Sequence, residues 1–167
     1  DYPIFDDQDN LIEYQSIGLD ITEQKKREQK LRLLSKMVEQ SDDSIVQTDL
    51  EGRIEYVNQA AEELFGWSKE ELQGRKQDIF NAEDNAAKIQ AEIYQKMEAG
   101  EVYSNTLLNR KKDGSTFWCD MKMIPLFDDE GQSYAYMCIQ RDVTKEREIR
   151  ANLQQSKERF RSYIDNA

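Results

Sequence analysis

The sequence contains no histidine, and this absence excludes several kinds of chemistry. Without an imidazole, the chain holds no axial histidine for haem, no histidine-containing zinc set, no histidine base beside a nucleophile and no histidine that accepts a phosphoryl group. Cysteine is also scarce, since Cys119 and Cys138 are the only two. Both fall inside predicted strands and not in loops that a disulfide would join, which favours reduced thiols and a cytoplasmic location.

Long apolar runs, a basic surplus and the short motifs of catalysis are missing as well. No apolar run approaches 18 residues, so we expect a soluble protein. The 23 basic and 34 acidic side chains give a net charge of -11, which repels nucleic-acid phosphates and anionic lipid headgroups, so neither partner is expected. No glycine-rich phosphate loop, kinase signature or paired nucleophile and base is present, so we expect no catalytic site. Acidic clusters such as residues 128–130 lack the spacing of a dedicated metal loop, so no metal site is expected.

Helix start and stop signals are concentrated in residues 57–74. Asn58 is typical of a helix N-cap, and Gly66 is typical of the left-handed residue that ends a helix. Ser68 and Glu71, three residues apart, form a capping box for a second short helix, which another glycine ends. Helices of about two turns do not persist alone, so they predict a sheet on which to pack.

Strand signals lie on both sides of this stretch and complete a recognisable order. The predicted strands are 44–49, 53–57, 101–110, 115–127 and 132–144, with a helix over 85–99 between the second and third. Short motifs occur along this order, namely Asn58-x-Ala60, Gly66-Trp67-x-x-x-Glu71-Leu72-x-Gly74, Lys112-Asp113-Gly114, Pro125, Asp128-x-x-Gly131 and Asp142-Val143-Thr144. The order of the elements and these motifs together resemble the PAS domain family. The resemblance implies an α+β PAS fold, a five-stranded antiparallel sheet with short helices on one face, flanked by N- and C-terminal helices that resemble coiled coils.

Both ends of the sequence repeat parts of the main unit. Residues 3–7 match 125–129 and residues 20–22 match 142–144, both at an offset of 122. Residues 160–167 similarly match 34–41, at an offset of 126. The chain lacks an initiator Met and opens inside one of these motifs, so we interpret it as an excised piece of a tandem PAS protein. The predicted divisions are the end of a preceding PAS domain at 1–22, a linker helix at 23–41, a PAS domain at 42–144 and an exit helix at 145–167 that leads into a following PAS domain.

Two linker helices, predicted over 23–40 and 145–163, are rich in charged helix formers and carry narrow apolar stripes. The stripe on the first helix consists of Leu31, Leu34, Met37 and Val38. The stripe on the second follows a coiled-coil seam and consists of Ile149, Leu153, Phe160 and Tyr163. We expect these stripes to form a dimerising pair of helices, and a solvated spacer helix is the alternative.

Successive side chains of a strand point to opposite faces of the sheet, so every second residue of the last three strands is expected to face the interior. The resemblance to the light-sensing, flavin-binding branch of the family implies a pocket lined by Tyr103, Asn105, Leu107, Asn109, Cys119, Met121, Met123, Tyr136, Cys138 and Gln140, with Val46 and Thr48. Asn109 and Gln140 fall where that branch uses amides to contact the flavin ring edge. The reactive cysteine of that branch has no counterpart, because residues 75–80 contain no thiol.

Buried amides are unfavourable without partners, which motivates a small-molecule ligand for this pocket. A packed core whose polar groups bond one another is the alternative. We expect no resident cofactor; a flavin is the alternative, and haem is excluded because the chain has no histidine.

The side chains that alternate with the pocket residues point to the other face of the sheet. They predict an apolar outer face formed by Trp118, Ile124, Met137 and Ile139, with Ile45. Such a surface needs a cover. The linker helix around Leu34 and Val38, or the same face of a second chain, would supply it, so a homodimer is expected.

Asp142 and Thr144 lie where the last strand becomes the exit helix, and Asp20 and Thr22 repeat this joint. Their side chains are suited to capping the helix and bonding back to the sheet. In the PAS family the joint is associated with transmission from sensor to output.

The resemblance therefore implies a sensory or relay module of a multidomain signalling protein, such as a sensor histidine kinase or a diguanylate cyclase. Its expected partners are a second copy, the adjacent PAS and output domains of the same parent chain and a small-molecule ligand. Two alternatives are a ligand-free dimerisation spacer and a flavin redox sensor without a photoadduct.

Overall fold

The computed structural model describes residues 2–15 and 20–165. Within these residues the chain forms seven strands, five α-helices and one 3₁₀ turn. Two compact units divide between Met37 and Val38. The smaller unit contains the N-terminal repeat, and the larger unit contains the five-stranded sheet.

The N-terminal unit consists of a β-hairpin followed by a helix. Strands β1 (Tyr2–Phe5) and β2 (Leu11–Gln15) pair antiparallel across a short turn. Helix α1 (Thr22–Glu39) follows and buries none of its residues. The helix predicted over 23–40 is thus confirmed, with each bound shifted by one residue.

The larger unit is built on one antiparallel sheet. Its strands are β3 (Ser44–Thr48), β4 (Ile54–Val57), β5 (Tyr103–Arg110), β6 (Thr116–Phe127) and β7 (Ser133–Asp142). They lie in the order β4-β3-β7-β6-β5. Since β7 pairs with both β3 and β6, the last strand of the chain occupies the centre of the sheet. The five-stranded antiparallel sheet expected from the sequence is confirmed.

Short helices cover one face of this sheet. They are α2 (Gln59–Phe65), α3 (Lys69–Leu72), the 3₁₀ turn (Gln77–Phe80) and α4 (Ala86–Glu98). Their buried side chains join the inward-facing residues of the strands in a single core cluster. Helix α5 (Thr144–Asp165) begins directly after β7 and is exposed along most of its length.

The predicted helix caps are confirmed. Asn58 Oδ1 accepts a hydrogen bond from the Ala61 amide at 3.1 Å, and Gly66 ends α2 in the left-handed conformation with φ 73°. Ser68 and Glu71 make both hydrogen bonds of a capping box. These caps satisfy amides that a short helix cannot bond internally.

Two local predictions need correction. Residues 77–80, for which the sequence predicted neither helix nor strand, form the 3₁₀ turn, in which Phe80 is buried and its ring stacks on Phe65 with 3.8 Å between centroids. The last strand, predicted to reach Thr144, stops at Asp142, because Thr144 is already the first residue of α5.

Candidate functional site

Alternate residues of the long strands point into the core, as strand parity predicted. The predicted pocket residues that are buried are Tyr103, Leu107, Asn109, Cys119, Met121, Met123, Tyr136, Cys138 and Gln140, together with Val46 and Thr48. The residues between them on β6 and β7 are exposed or half-buried on the opposite face.

Asn105 is an exception, because it is exposed instead of lining a pocket. Its amide nitrogen donates to Tyr103 Oη at 3.1 Å, and its Oδ1 accepts from the Thr106 amide at 2.8 Å. The polar group of Asn105 is thus satisfied within its own strand, at the sheet edge, and does not reach the interior.

A cavity of about 50 Å³ lies between the inner face of the sheet and the covering helices. It is lined by Gln77, Asp78, Phe80, Asn81, Gln90, Ile93, Leu107, Asn109, Met121, Met123 and Gln140. Five of the predicted pocket residues are in this lining, namely Leu107, Asn109, Met121, Met123 and Gln140. Tyr103 and Cys119 are buried in the core cluster but do not line this cavity.

A smaller cavity of about 20 Å³ shares Gln77, Gln90, Ile93 and Met123 with the first. Thr48 and Tyr136 are part of its lining. Gln77 and Gln90, which line both cavities, are absent from the predicted set. For Gln77 a signal was available, because it lies in the segment where the light-sensing branch would hold its reactive cysteine.

Polar atoms without partners gather around these cavities. Five buried side-chain oxygens of the described residues make no hydrogen bond, and three of them belong to residues that line a cavity: Gln77 Oε1, Gln140 Oε1 and Thr48 Oγ1. A buried carbonyl without a donor is unfavourable, so these oxygens mark a place where the core is chemically incomplete.

The two cysteines are unreactive in this environment. Burial raises the pKa of the Cys119 thiol to about 12, and burial also raises the pKa of the Cys138 thiol to about 12. The side chains of Asn109 and Gln77 act in the opposite direction on Cys119 and Cys138 respectively. Since the thiolate is the nucleophile, both groups remain protonated and inert near neutral pH.

The predicted transmission joint connects α5 to the sheet by hydrogen bonds. Thr144 Oγ1 accepts from the Trp118 amide at 2.9 Å, and the Thr144 amide donates to Asp142 Oδ1 at 2.9 Å. The Val143 amide donates to the Trp118 carbonyl at 2.8 Å, and the Arg147 guanidinium lies 4.3 Å from the centroid of the Trp118 ring. The first turn of α5 is therefore fastened to β6.

Asn58 forms a second joint, at the end of α1. Its amide nitrogen donates to the carbonyls of Val38 at 3.1 Å and Asp43 at 2.9 Å, while its Oδ1 accepts from the amides of Ile45 at 2.9 Å and Ala61 at 3.1 Å. One buried side chain thus joins the last turn of α1, the start of α2 and strand β3.

An ion pair connects the two joints. The Arg141 guanidinium bonds both carboxylate oxygens of Asp43, at 2.7 and 2.8 Å. The bonded guanidinium holds the pKa of the Asp43 carboxyl below its usual value. Asp43 also bonds Asn58 through its carbonyl, and Arg141 directly precedes Asp142. Within the larger unit, the network therefore runs from Val38 to Asp142, the residue that caps α5.

The predicted outer-face residues Trp118, Ile124, Met137, Ile139 and Ile45 are half-buried. On the linker helices, Leu34 and Met37 are exposed and Val38 is half-buried. Leu153 and Phe160 on α5 are 54% and 67% exposed, and Ile149 and Ile164 are exposed to a similar degree. The side chain of Tyr163, predicted in the same seam, lies outside the described residues.

A family model described as a PAS domain matches residues 42–145. The chain belongs to the PAS domain family. PAS domains are sensory and not catalytic. The match begins at the predicted boundary of the PAS domain and ends one residue beyond it.

Related proteins of known role are sensors and regulators. The nitrogen fixation regulatory protein of Klebsiella oxytoca is 26% identical over 108 residues, 65% of this chain and 22% of that protein. The blue-light photoreceptor of Listeria monocytogenes is 26% identical over 155 residues, 93% of this chain and 52% of that protein. A crystal structure of a PAS domain from Colwellia psychrerythraea superposes with a TM-score of 0.65 at 28% identity, covering 70% of this chain and 98% of that one. These similarities support a signal-sensing role for this PAS domain, which spans at most about half the length of these two relatives.

The residues of this PAS domain do not fit a flavin. Sites that bury ligands of that size enclose roughly 300–1,000 Å³, whereas the larger of the two cavities here measures about 50 Å³. The stacked rings of Phe65 and Phe80 and the tilted ring of Phe117, 5.6 Å from Phe65, occupy the adjoining core. A flavin ring system therefore requires displacement of core side chains.

None of the described helices is long and apolar enough to cross a membrane. The described residues also contain no cluster of three or more acidic, cysteine or histidine side chains arranged around a metal ion.

Proposed function

We propose that this chain is a sensory and relay module of a multidomain signal-transduction protein, of the sensor histidine kinase or diguanylate cyclase type. In this proposal, the state of the inner cavity biases the direction in which α5 leaves the sheet. An output domain of the parent chain then responds to α5. The roles of the related regulator and photoreceptor support the signalling part of the proposal.

One observation carries the relay: the cavity and the exit joint share a strand. Gln140 lines the cavity and Asp142, two residues along β7, caps the first turn of α5. Met121 lines the same cavity on β6, where Trp118 bonds Thr144. A change of packing at the cavity is therefore expected to move both strands that hold α5, and the two arrangements of α5 are the states that a ligand or a partner would bias.

The relay is tested by amide hydrogen exchange in the first turn of α5. Gln140→Leu changes the packing at the cavity and is expected to change the exchange rates of residues 145–148 several-fold. Thr144→Val removes the bond to Trp118, so adding Gln140→Leu to it is expected to have little further effect. Ser133→Ala, at the opposite end of β7, is the matched control. Unchanged exchange in Gln140→Leu contradicts the relay.

We also propose that the module acts as a homodimer. The exposed apolar residues of α5 follow a coiled-coil seam, with Ile149, Leu153 and Phe160 on one side of the helix. The half-buried outer face of the sheet, with Trp118 and Ile139, supplies a second apolar surface. Both surfaces are of the kind that pairs with a second copy.

Dimerisation is tested by sedimentation of a double variant. Leu153→Asp with Phe160→Asp introduces two charges into the seam and is expected to shift the protein to monomer. Ala151→Asp with Gln155→Asp introduces the same charges on the opposite side of α5 and is expected to leave association unchanged. Equal association of both double variants contradicts the role of the seam.

A tandem arrangement of PAS domains in a cytoplasmic parent is the remaining part of the proposal. The repeated joints at Asp20 and Asp142 have the same hydrogen-bond geometry, which supports two PAS units in series. Two free, buried thiols support a reducing compartment.

The small cavity also favours a second candidate function, a dimerisation spacer that binds no ligand. A spacer tolerates Asn109→Leu and Gln140→Leu with output unchanged, because only the packing of the core matters. A sensor loses its response in both variants.

A further inference from the structure

The inner cavity presents two hydrogen-bond acceptors that lack donors. Gln140 is 2% exposed and its Oε1 has no partner, and Gln77 Oε1 on the opposite wall is also unpaired. Thr48 Oγ1 is unpaired in the neighbouring cavity that shares Gln77. Buried carbonyl oxygens are satisfied in almost all proteins, by the chain itself, by water or by a ligand. The two glutamine carbonyls therefore lack donors, whereas the Thr48 hydroxyl is able either to donate or to accept.

The size of the cavity limits what supplies these donors. A water molecule, which has one non-hydrogen atom, needs roughly 10–15 Å³ of cavity volume. A cavity of about 50 Å³ therefore holds three to five non-hydrogen atoms. Two acceptors on different elements, one on β7 and one on the 3₁₀ turn, require at least two donors to be satisfied together.

The charge of the lining decides the sign of the occupant. None of the described residues that line the cavity is basic, and one, the exposed Asp78, is acidic. The remaining wall is apolar or carries amides. Such a lining disfavours anions and accepts a neutral or cationic group.

We infer that this cavity binds a small molecule of three to five non-hydrogen atoms with at least two N–H donors, of the urea, primary amide or amidine class, held between Gln77 and Gln140. The inference rests on the proposed sensory function and names the class of ligand for the same cavity. It also separates this chain from flavin-binding sensors, because a cavity of about 50 Å³ suits a donor far smaller than a flavin.

The test is an NMR titration of the whole chain with urea, acetamide and guanidinium chloride. Acetone and tetramethylammonium chloride are controls of similar size or charge without N–H donors. Because affinity per ligand atom is bounded, Kd is expected no tighter than about 50 µM for four atoms, so each titration extends to about 50 mM. At least one donor probe is expected to cause saturable shifts in the side-chain amide signals of Gln77 and Gln140, whereas the controls are not.

Three variants show whether the two carbonyls are responsible. Gln140→Leu and Gln77→Leu, on different elements, are each expected to weaken binding of the donor probe at least about tenfold. Ser133→Ala removes a buried unpaired hydroxyl that does not line the cavity, and it is expected to leave binding unchanged. Where one leucine variant fails to fold, the other decides.

Shifts that stay linear for every donor probe, equal responses to the donor probes and their controls, or stoichiometric binding of riboflavin phosphate overturn the inference. Saturable binding that leaves the exchange of α5 unchanged supports the ligand site and contradicts the relay. Altered exchange in Gln140→Leu without binding of any donor probe supports the relay and overturns the ligand class.

Discussion

The turn between β1 and β2 and the turn between β6 and β7 share two side-chain hydrogen bonds, 122 residues apart in the chain, and the first turn has one more, from Asn10 Nδ2 to Asp6 Oδ2 at 3.2 Å. Asp6 Oδ1 accepts from the amides two and four residues ahead, at 2.8 Å each, and Asp128 Oδ1 does so at 3.0 and 2.8 Å. The left-handed residue of the first turn is Asp9, with φ 64°, and that of the second is Gly131, with φ 77°. Four residues of local sequence are thus sufficient to specify the turn.

The strands around the two turns differ in environment, although the turns do not. The N-terminal hairpin has two strands, and its Phe5 and Ile12 side chains are 53% and 62% exposed. Its later counterpart belongs to a five-stranded sheet, in which Met123 and Cys138 are buried. Local sequence therefore decides the hydrogen bonds of a turn, whereas long-range pairing decides burial and most of the stability.

The largest difference between the two regions is expected on loss of an aromatic ring. Phe65→Ala removes a fully buried ring that stacks on Phe80, and it is expected to lower the free energy of unfolding by about 3–5 kcal/mol. Phe5→Ala in the hairpin is expected to change it by less than about 0.5 kcal/mol. Urea unfolding monitored by tryptophan fluorescence measures both, and similar losses in the two variants contradict the comparison.

Burial of the two thiols in the five-stranded sheet is also expected to make the free energy of unfolding depend on pH. Because burial raises the pKa of Cys119 and of Cys138 to about 12, the folded state keeps both protons when the unfolded state loses them above about pH 8.5. The contribution of the thiols to the free energy of unfolding is therefore fully present below that pH and falls as the pH rises, by about 1.4 kcal/mol for each thiol at pH 9.5.

The change of the free energy of unfolding with pH is measured by urea unfolding under reducing conditions between pH 7.5 and 9.5. The double variant Cys119→Ala with Cys138→Ala is the control, and its stability is expected to change less with pH even though its absolute stability is lower. An equal slope in both proteins shows that the thiols titrate normally in the folded state.

Features that depend on residues close in sequence could be predicted, whereas features that depend on long-range packing could not. The caps at Asn58 and Ser68 and the strand parity around Met121 follow from spacing within a few residues, and the structure has all of them. Phe80 lies with Ile79 after the polar residues 75–78, and only the nearby ring of Phe65, 15 residues away in sequence, shows why Phe80 is buried.

The wall of the cavity that the sheet forms was predictable, but the opposite wall and the volume were not. Strand parity brings Asn109, Met121 and Gln140 to one wall. The size of the cavity depends on how the 3₁₀ turn and α4 pack, which no local pattern contains, and only the family resemblance pointed to the segment that holds Gln77. Asn105 has the right parity, but its bonds to Tyr103 and Thr106 keep it at the sheet edge.

The strand-to-helix joint occurs twice, at Thr22 and at Thr144, and equivalent substitutions at the two positions are expected to have smaller effects on stability than loss of a buried ring. Thr144→Val leaves the Trp118 amide without its acceptor and is expected to lower the free energy of unfolding by about 1–2 kcal/mol. Thr22→Val, at the equivalent first position of α1, is expected to lower it by less than about 0.5 kcal/mol. Equal losses, measured by urea unfolding, would mean that the sheet bond at Thr144 does not stabilise the joint.

The smallest expected effect concerns the repeated turn itself. Asp6→Ala removes the three side-chain bonds of the first turn, and because a two-stranded sheet is marginal, amide protection across β1 and β2 is expected to be lost. Asp128→Ala removes the two corresponding bonds to backbone amides from the second turn, but β7 stays paired with β3 and β6, so protection there is expected to remain. Hydrogen exchange followed by NMR measures both.

The pH dependence of the hairpin provides an independent check on Asp6. Hydrogen bonds from the Asn10 amide hold the pKa of the Asp6 carboxyl below its usual value, so its contribution is present at neutral pH and is lost as the pH falls below about 4. Protection of β1 and β2 is expected to weaken over that range in the native chain, and Asp7→Ala, the adjacent acid, is expected to behave like the native chain. If protection in Asp6→Ala equals that of the native chain at pH 6, the side chain of Asp6 does not hold the hairpin together. The similar side-chain bonds of the two turns would then reflect shared backbone geometry, and the stability of both hairpins would have to come from their strands.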